Sequence, residues 1–430
     1  MKLLAQAMRA LYAHVAGPGT FLVSATRLGG CHGYDDAGAI APMGGAVAGF
    51  TKAYAREREG ALVKVVDFDA GHDPADVAAL LRGETLRDPG AVEIGYQGGE
   101  RWSVGLAELP ADGGQPGLAL GKGSVFVVTG AAGSIVAAIV ADLAAASGGD
   151  FHLLDLAPAP RADDPDIARY DRGDRDGQKR DLFERIKERG ERATPAMVEK
   201  QMAAIERAST ALSAIRAVEA AGGVARYHQV DLRDAAAVGR AVEVVRAEHG
   251  RVDVLLHAAG LEISRSLPDK EQREFDLVFD VKADGWHNLM RSIGDMPLGA
   301  AVVFSSIAGR FGNGGQTDYS SANDLLCKMV SSFRNARPAT RGIAVDWTAW
   351  AGIGMASRGS IPRMMEAAGI DMLPAEVGIP LIRRAAGERD HDARTHQRAR
   401  GYGEAKPRRA VRGGPIHGRN VDLGAGRPLR

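Results

Sequence analysis

Residues 304–323 read FSSIAGRFGNGGQTDYSSAN, and this stretch decides how the rest of the chain is interpreted. The apolar run at residues 301–304 predicts a buried strand that ends in two serines. A glycine-rich loop follows, and a helix is predicted to begin near Thr317, with Tyr319 and Asn323 four residues apart and therefore on one face. A hydroxyl from a strand end and a phenol from a helix can then meet over one pocket, which suits proton delivery to a carbonyl oxygen. The same residue types are also common on protein surfaces, so this stretch alone does not assign a function.

The composition is that of an ordinary globular protein. The chain has 430 residues, 45% of them hydrophobic, and a formal net charge of zero, which gives no overall attraction to nucleic acid or to a membrane surface. Its two cysteines, Cys31 and Cys327, are far apart and have no ligand-spaced His or Cys nearby, so we interpret them as reduced packing residues of a cytoplasmic protein and predict no metal site. Residues 1–17 predict a short amphipathic helix without the continuous apolar core of a signal peptide.

Residues 1–118 form the first predicted region, a small α/β domain without a cofactor. Strands are expected at residues 20–25 and 62–68, and a helix at residues 42–58. The glycines before that helix suggest a phosphate loop, but they lack the compact G-x-G-x-x-G spacing after a strand, so we do not assign one. The polar, glycine-rich residues 111–117 predict a linker at its end.

A second predicted region, residues 119–385, opens with a strand, a tight turn and a helix. Residues 123–149 contain a single charge and are long enough to cross a bilayer, but the glycines within them favour a strand–turn–helix unit. A helix that begins directly after such a turn offers free N–H groups and a positive dipole end to a pyrophosphate. The next strand ends at Asp155, where an acidic residue usually binds the adenosine ribose. The candidate dinucleotide-binding residues of the turn are Thr129, Gly130, Ala132, Gly133, Ser134 and Ile135.

Alternating strands and helices continue to about residue 347, which predicts an α/β fold with a doubly wound parallel sheet of the Rossmann type. A charged helical insertion is predicted at residues 158–210, with a solvated face favoured over a binding site. Residues 386–430 contain eleven Lys or Arg, five Asp or Glu and few large apolar side chains. This composition predicts a disordered tail rather than a nucleic-acid-binding segment.

Taken together, the motifs resemble the short-chain dehydrogenases/reductases, and among these the ketoreductase domain of type I polyketide and polyunsaturated fatty acid synthases. The resembling segments are TGAAGSI (129–135), VDLRD (230–234), HAAG (257–260), FDVKADG (279–285), FSSIAGRFGNGGQTDYSSAN (304–323) and DWTAWAGIGMA (346–356). Most short-chain reductases carry Lys four residues after the Tyr. Here that position is Asn323 and Lys282 stands earlier, an exchange that the synthase ketoreductases share. The first region resembles their catalytically silent subdomain, shortened at its amino end.

The resemblance implies a role for each matching residue. Tyr319 would donate the proton, Ser306 would hydrogen-bond the substrate carbonyl, and Lys282 would lower the pKa of the phenol. Asn323 would hold that lysine or a water. The remaining implied contacts are Asp231 and Leu232 with the adenine, and Ala259 and Gly260 with the nicotinamide side.

The resemblance also implies the reaction, the cofactor and the partners. The expected activity is NAD(P)H-dependent reduction of β-ketoacyl thioesters in polyketide or fatty acid synthesis, with an acyl carrier protein and other synthase domains as partners. The family favours NADPH, whereas Asp155 favours NADH unless an arginine of the insertion, such as Arg161, reaches across. Two alternatives stay open: a free-standing reductase of a small ketone, and a dinucleotide-binding module without turnover.

Overall fold

A computed structural model describes the protein at residues 1–105, 118–357, 359, 361–367, 369–387 and 408–409. The predicted linker at residues 111–117 and most of the predicted tail at residues 386–430 lie outside the described residues.

The first region contains a mixed sheet covered by helices. Its elements are α1 (Lys2–Ala10), β1 (Phe21–Thr26), α2 (Gly44–Glu57), β2 (Leu62–Phe68), α3 (Pro74–Thr85), β3 (Glu93–Gln97) and β4 (Glu100–Ser103). Strands β1, β2 and β3 are parallel, β4 returns antiparallel to β3, and a short strand β11 (Arg408–Arg409) pairs with β4. The amphipathic α1, β1, α2 and β2 were predicted, whereas α3 and the β3–β4 hairpin were not. Both had a sequence signature: Asp73 caps α3 ahead of Pro74, and Gly98-Gly99 forms the hairpin turn.

The second region is the predicted doubly wound sheet. Its elements are β5 (Val125–Thr129), α4 (Ser134–Ser147), β6 (Asp150–Asp155), α5 (Pro165–Asp171), α6 (Arg175–Glu188), α7 (Pro195–Ala220), β7 (Ala225–Gln229), α8 (Ala235–His249), β8 (Val252–His257), α9 (Gln272–Ile293), β9 (Leu298–Ser306), α10 (Ile307–Phe311), α11 (Thr317–Ala336), β10 (Arg341–Trp347), a 3₁₀ turn (Met355–Ser357), α12 (Ile361–Ala367) and α13 (Ala375–Gly387). All six strands are parallel, in the order β10-β9-β8-β5-β6-β7. The order reverses between β5 and β8, and ligands of such sheets bind in the crevice at the carboxyl ends of these strands.

Both faces of this sheet are covered, as a parallel sheet requires. Successive residues of β5 alternate between two apolar cores: Val125 and Val127 pack on the side of α8, α9 and α11, and Phe126 and Val128 on the side of α4 and α7. Among the described residues no helix is long and apolar enough to span a bilayer. The apolar stretch at residues 123–149 is instead β5, a turn and α4.

The predicted insertion at residues 158–210 contains α5, α6 and the first half of α7. The side chain of Thr194 caps α7 by accepting the N–H of Met197, as its position ahead of a proline predicts. Leu182, Ile186 and Met202 belong to a small apolar cluster that the three helices share. The insertion is therefore packed as a helical unit of its own on the edge of the sheet.

The two regions meet where α2 lies against α11, the helix that carries Tyr319. A Cβ added to Gly49 would lie 2.3 Å from the carbonyl oxygen of Ser320, and one added to Gly45 would lie 2.9 Å from that of Asp324. Since real side chains do not tolerate such distances, these two glycines are what allow the two backbones to approach so closely.

The glycine-rich segment before α2 wraps around a carboxylate of its own chain. One oxygen of Asp67, which is fully buried, accepts the N–H of Leu28 at 2.6 Å, and the other accepts the N–H groups of Gly30 at 2.6 Å and His32 at 2.9 Å. These backbone N–H groups, which a phosphate would need, are therefore used internally.

We expect Gly49→Ala to lower the stability of the folded chain by about 1–3 kcal/mol, because the added methyl group must push α2 away from α11. Chemical denaturation of the purified chain measures this loss. Gly239→Ala, in α8, is the matched control, since the nearest atom to its added Cβ lies 3.9 Å away. It should gain about 0.5–1 kcal/mol from helix propensity. Equal stability of the Gly49→Ala variant and the wild type would contradict the close contact.

Candidate active site

The four residues of the predicted catalytic set converge at the carboxyl end of β9. Ser306 is the last residue of this strand, Tyr319 and Asn323 lie on the first turns of α11, and Lys282 comes from α9. The side chains of Ser306 and Asn323 are hydrogen-bonding neighbours of the Tyr319 phenol, and both lower its pKa. The ammonium nitrogen of Lys282 lies 5.9 Å from the centre of the Tyr319 ring.

The two neighbouring serines have different environments. Ser305 is buried, donates its hydroxyl to the carbonyl oxygen of Asn323 at 3.1 Å and lies 3.2 Å from the sulfur of Cys327, which donates to it. Ser306 is half-buried, and its oxygen accepts the N–H of Ala308 at 3.2 Å, so that it caps α10. The hydroxyl of Ser306 is therefore the one that can face a substrate, and Ser305 braces the helix.

Lys282 is buried and lies under the pocket. Its Nζ donates to the carbonyl oxygen of Phe304 at 2.7 Å. Burial disfavours the charged ammonium and lowers the pKa of Lys282 to about 8. A Cβ added to Gly260 would lie 2.7 Å from Cε of the lysine, so the absence of a side chain at Gly260 is what leaves room for the lysine.

The pKa of the Tyr319 phenol is raised, which differs from the expectation that Lys282 lowers it. Burial is the main cause, and the hydrogen bonds to Ser306 and Asn323 oppose it only in part. The lysine directs its nitrogen to Phe304 O rather than to the phenol. A phenol in this environment stays protonated at neutral pH, which is the state a proton donor needs.

Asn323 is buried and links the two turns of α11. Its Nδ2 donates to the carbonyl oxygen of Tyr319 at 2.8 Å. Its Oδ1 is buried and has no hydrogen-bond partner among the residues that the structure describes. An acceptor in that position can receive a hydrogen bond from a substrate or a water in the proton path.

One hydroxyl organises the crevice between β5 and β8. The oxygen of Thr129 accepts the N–H groups of Ala258 and Ala259, each at 3.1 Å, and lies 3.1 Å from Nδ1 of His257. The hydroxyl hydrogen is then left to donate to Nδ1, so Nε2–H of His257 donates to the carbonyl oxygen of Lys282 at 3.1 Å. This chain of bonds connects the predicted cofactor turn with the helix that carries the lysine.

The turn after β5 fits a dinucleotide pyrophosphate. Gly130 has a φ of 74°, and a Cβ there would lie 2.9 Å from the backbone of Ala259. Helix α4 begins after Gly133 with no side chain capping its first N–H groups, which are thereby available to a phosphate. The side chain of Ser134 accepts the N–H of Gly354, which brings the segment after β10 over Ile135.

Asp155 is not the open carboxylate that the sequence predicts. It is buried, its Oδ2 accepts the N–H of Ala132 at 3.0 Å, and its Oδ1 accepts the N–H of Ala157 at 2.9 Å and the Nη2 of Arg207 at 2.6 Å. The insertion therefore does send an arginine to Asp155, but it is Arg207 of α7. Arg161, the arginine named from the sequence, is exposed and pairs with its neighbour Asp163. Nothing in the sequence separates Arg207 from the other eight arginines of residues 158–210, because only the packing of α7 selects it.

The residues expected to contact the adenine also lie at the carboxyl ends of the strands, directly after β7. The carboxylate of Asp231 is held at 2.6 Å by Arg233, whose hydrogen bond is the main reason that the pKa of Asp231 is lowered. The side chain of Leu232 is buried in the core beside α9, and its carbonyl oxygen accepts the side-chain N–H of Asn288 at 2.8 Å.

The chain is similar to known synthase proteins and ketoreductases. Residues 124–352 match the family described as KR domain. The chain is 29% identical over 326 residues, 74% of its own length, to one of the polyunsaturated fatty acid synthase subunits of a Thraustochytrium species, and it spans 11% of that protein. A ketoreductase domain from the bacillaene assembly line superposes with a TM-score of 0.67 at 19% identity, covering 89% of this chain and 79% of the other. The ketoreductase of the first phoslactomycin module from Streptomyces sp. HK803 superposes with a TM-score of 0.66 at 21% identity, covering 90% and 77%.

We expect Lys282→Met to stabilise the chain at pH 7. The lowering of the lysine pKa from 10.5 to about 8 means that burying the ammonium destabilises the folded chain by about 3 kcal/mol. The variant is relieved of this cost but loses the hydrogen bond to Phe304, which stabilises the wild type by about 1 kcal/mol. Below pH 8 the lysine is protonated in both the folded and the unfolded wild-type chain, so the buried ammonium destabilises the folded chain by its full amount. Between about pH 8 and 10.5 the folded lysine is neutral while the unfolded one is charged, so wild-type stability rises with pH and the advantage of the variant shrinks.

Denaturation midpoints of both proteins at pH 7 and pH 9.5 measure this difference. Lys52→Met is the control of opposite sign, because Asp324 at 2.9 Å and Glu93 at 3.2 Å overcome the effect of burial and raise the pKa of Lys52. Removing that ammonium should destabilise the chain at both pH values. A Lys282→Met variant less stable than the wild type at pH 7 would show that the lysine is not destabilised by its burial.

Proposed function

Because this chain belongs to the KR-domain family, we propose that it is an oxidoreductase that reduces β-ketoacyl thioesters to β-hydroxyacyl thioesters with NADPH. The observation that carries the proposal is the position of the Tyr319 phenol and the Ser306 hydroxyl together at the carboxyl end of β9. The crevice between β5 and β8, where a dinucleotide fits, also opens at the carboxyl ends of the strands.

In this proposal the side chains orient the substrate and move one proton. The dinucleotide, when bound, supplies the hydride. The hydroxyl of Ser306 donates a hydrogen bond to the substrate carbonyl oxygen and holds it beside the phenol. Tyr319, kept protonated by its raised pKa, gives its proton to that oxygen as negative charge develops on it. Asn323 offers its buried Oδ1 to a water that returns the proton to the phenol.

Lys282 acts from beneath the phenol in this mechanism. Its ammonium charge, 5.9 Å from the ring centre, stabilises the phenolate that remains after proton transfer. With a pKa of about 8 the lysine is largely charged at neutral pH, and the bond to Phe304 O fixes its position. Turnover should therefore not require the lysine to touch the substrate.

The choice of NADPH is supported by the pairing of Asp155 with Arg207. An open carboxylate beside the ribose would accept its hydroxyls and repel a 2′-phosphate. Here the charge of Asp155 is offset by Arg207, and the arginine side chain is 49% exposed, against 2% for the carboxylate. The remaining N–H groups of the guanidinium are then free to face a phosphate at the ribose.

The partners proposed are an acyl carrier protein, which would present the thioester, and other domains of a fatty acid or polyketide synthase. The chain spans only 11% of the Thraustochytrium synthase protein that it resembles, and the rest of that protein has no counterpart in it. A free-standing reductase is the second candidate. The first region disfavours it, because single-domain short-chain reductases do not carry such a region.

Tyr319→Phe should bind NADPH as the wild type does but reduce a β-ketoacyl thioester at least about a hundredfold more slowly, since it removes the positioned proton donor. Fluorescence titration with NADPH and the rate of NADPH oxidation with an acetoacetyl thioester measure the two effects. Tyr170→Phe, which deletes the same atom in α5 of the insertion, should keep full activity. Near wild-type turnover in Tyr319→Phe would remove this residue from the mechanism.

Arg207→Met should lower the ratio of kcat/KM for NADPH over NADH by about ten- to a hundredfold, the range expected for a lost charge-assisted hydrogen bond. The variant also removes the positive charge that offsets Asp155, so the carboxylate then repels a 2′-phosphate more strongly. Arg161→Met, at the exposed pair with Asp163, is the matched control and should leave the ratio unchanged. An unchanged ratio in Arg207→Met would mean that the arginine does not face the ribose.

A further inference from the structure

Three side chains near the amino end of β6, away from the active site at the carboxyl ends of the strands, form a group that no part of the proposed reaction uses. His152 lies in β6, and Glu248 and His249 end helix α8. Helix α8 runs from the carboxyl end of β7 to the amino end of β8. Its last residues, and with them the group, therefore lie at the amino ends of the strands, opposite the active site. We propose that His152, Glu248 and His249 bind one divalent transition-metal ion of the zinc class.

The distances between the donor atoms suit such an ion. Oε2 of Glu248 lies 3.7 Å from Nε2 of His152 and 3.6 Å from Nε2 of His249, and all three atoms are within 4.8 Å of one another. A tetrahedral ion with bonds of about 2.0–2.2 Å separates its ligand atoms by about 3.3–3.6 Å. Small rotations of the side chains are therefore enough to close the site, and a solvent molecule would complete the coordination.

Both histidine nitrogens that point into the group are without a protein partner. Nε2 of His152 and Nε2 of His249 are buried and make no hydrogen bond to any described residue. A buried polar atom without a partner carries a free-energy cost, and a metal ion removes it. His152 is completely buried, so solvent does not satisfy its Nε2 either.

The second nitrogen of His152 has a hydrogen-bond partner outside the group. Nδ1 lies 3.1 Å from Nε2 of His228 on β7. When Nδ1–H donates to His228, the lone pair of Nε2 is directed into the group. In this tautomer His228 holds the ring of His152 with Nε2 facing the group.

The end of a helix also favours a cation here. Glu248 and His249 belong to the last turn of α8, where the helix dipole is negative. The side chain of Glu248 is 34% exposed, so an ion can enter from solvent.

Arg226 is the competing cation. It lies beside His152 on the neighbouring strand, and its Nε lies 2.7 Å from Oε2 of Glu248, the oxygen that would bind the ion, and 2.9 Å from Oε1. Its positive charge opposes a second cation, so this arginine weakens the site. The guanidinium is 35% exposed and can turn towards solvent when an ion binds. Replacing it should therefore tighten binding, which a nonspecific surface site would not show.

The sequence gives no indication of this site. The pair Glu248-His249 is 96 residues from His152, and no compact ligand spacing connects them. The prediction that the chain has no metal site followed from that spacing. Only the packing of α8 on β6 brings the donors together.

The test uses the full chain after treatment with a chelator and dialysis. Calorimetric titration with zinc chloride should show saturable binding that His249→Gln and Glu248→Gln each weaken at least tenfold. Cobalt chloride should give the intense visible absorption of a tetrahedral site in the wild type but not in these two variants. His14→Gln, an exposed histidine in the first region, is the matched control and should bind as the wild type does. Arg226→Met should bind more tightly.

Absence of saturable zinc binding by the wild type would overturn the proposal. Equal binding by the wild type and both Gln variants would also overturn it, since the ion would then be held elsewhere in the chain. Ketoreduction is no part of the measurement, so the result is independent of the proposed activity.

Discussion

Residues 317–331 of helix α11 are buried or half-buried on every side, and the geometry of the candidate active site depends on this. Its partners are the sheet and α9 on one side and α2 of the first region on the other, where Gly45 and Gly49 allow backbone contact. A helix that brings polar residues such as Tyr319 and Asn323 to a catalytic pocket would otherwise expose its other polar side chains to solvent. In the proposed reaction the first region therefore acts by fixing the position of this helix and not by chemistry of its own.

Buried charges make that position specific. Asp318, next to the tyrosine, pairs with the buried Lys270 at 2.6 Å, and Asp324, next to Asn323, pairs with the buried Lys52 of α2 at 2.9 Å. Removing one member of such a pair typically costs about 3–5 kcal/mol, because the other charge is left without a partner in a medium of low dielectric constant. A shift of α11 by one turn would break both pairs, so the two ion pairs and the apolar contacts select a single register for the helix.

The alternation of strands and helices could be predicted from sequence because fully buried strands and amphipathic helices leave strong patterns. The glycine-rich turn was placed correctly between β5 and α4. What could not be predicted depends on contacts between distant residues. The partner of Asp155 is Arg207, 52 residues later, and one arginine in a charged segment looks like any other. The raised pKa of Tyr319 likewise follows from burial and from a lysine that bonds a backbone carbonyl, neither of which has a sequence pattern.

In the first region the carboxylate of Asp67 occupies the loop where a phosphate would otherwise bind. Both regions have a strand, a glycine-rich loop and a helix in succession, the arrangement on which nucleotide sites are built. In the first region the loop is already liganded from within, since the three N–H groups of Leu28, Gly30 and His32 bind an anion that is covalently part of the chain. A free phosphate would have to displace the Asp67 carboxylate, which is held next to these N–H groups by the chain itself. For the proposed reaction we therefore expect a single dinucleotide site, the turn after β5.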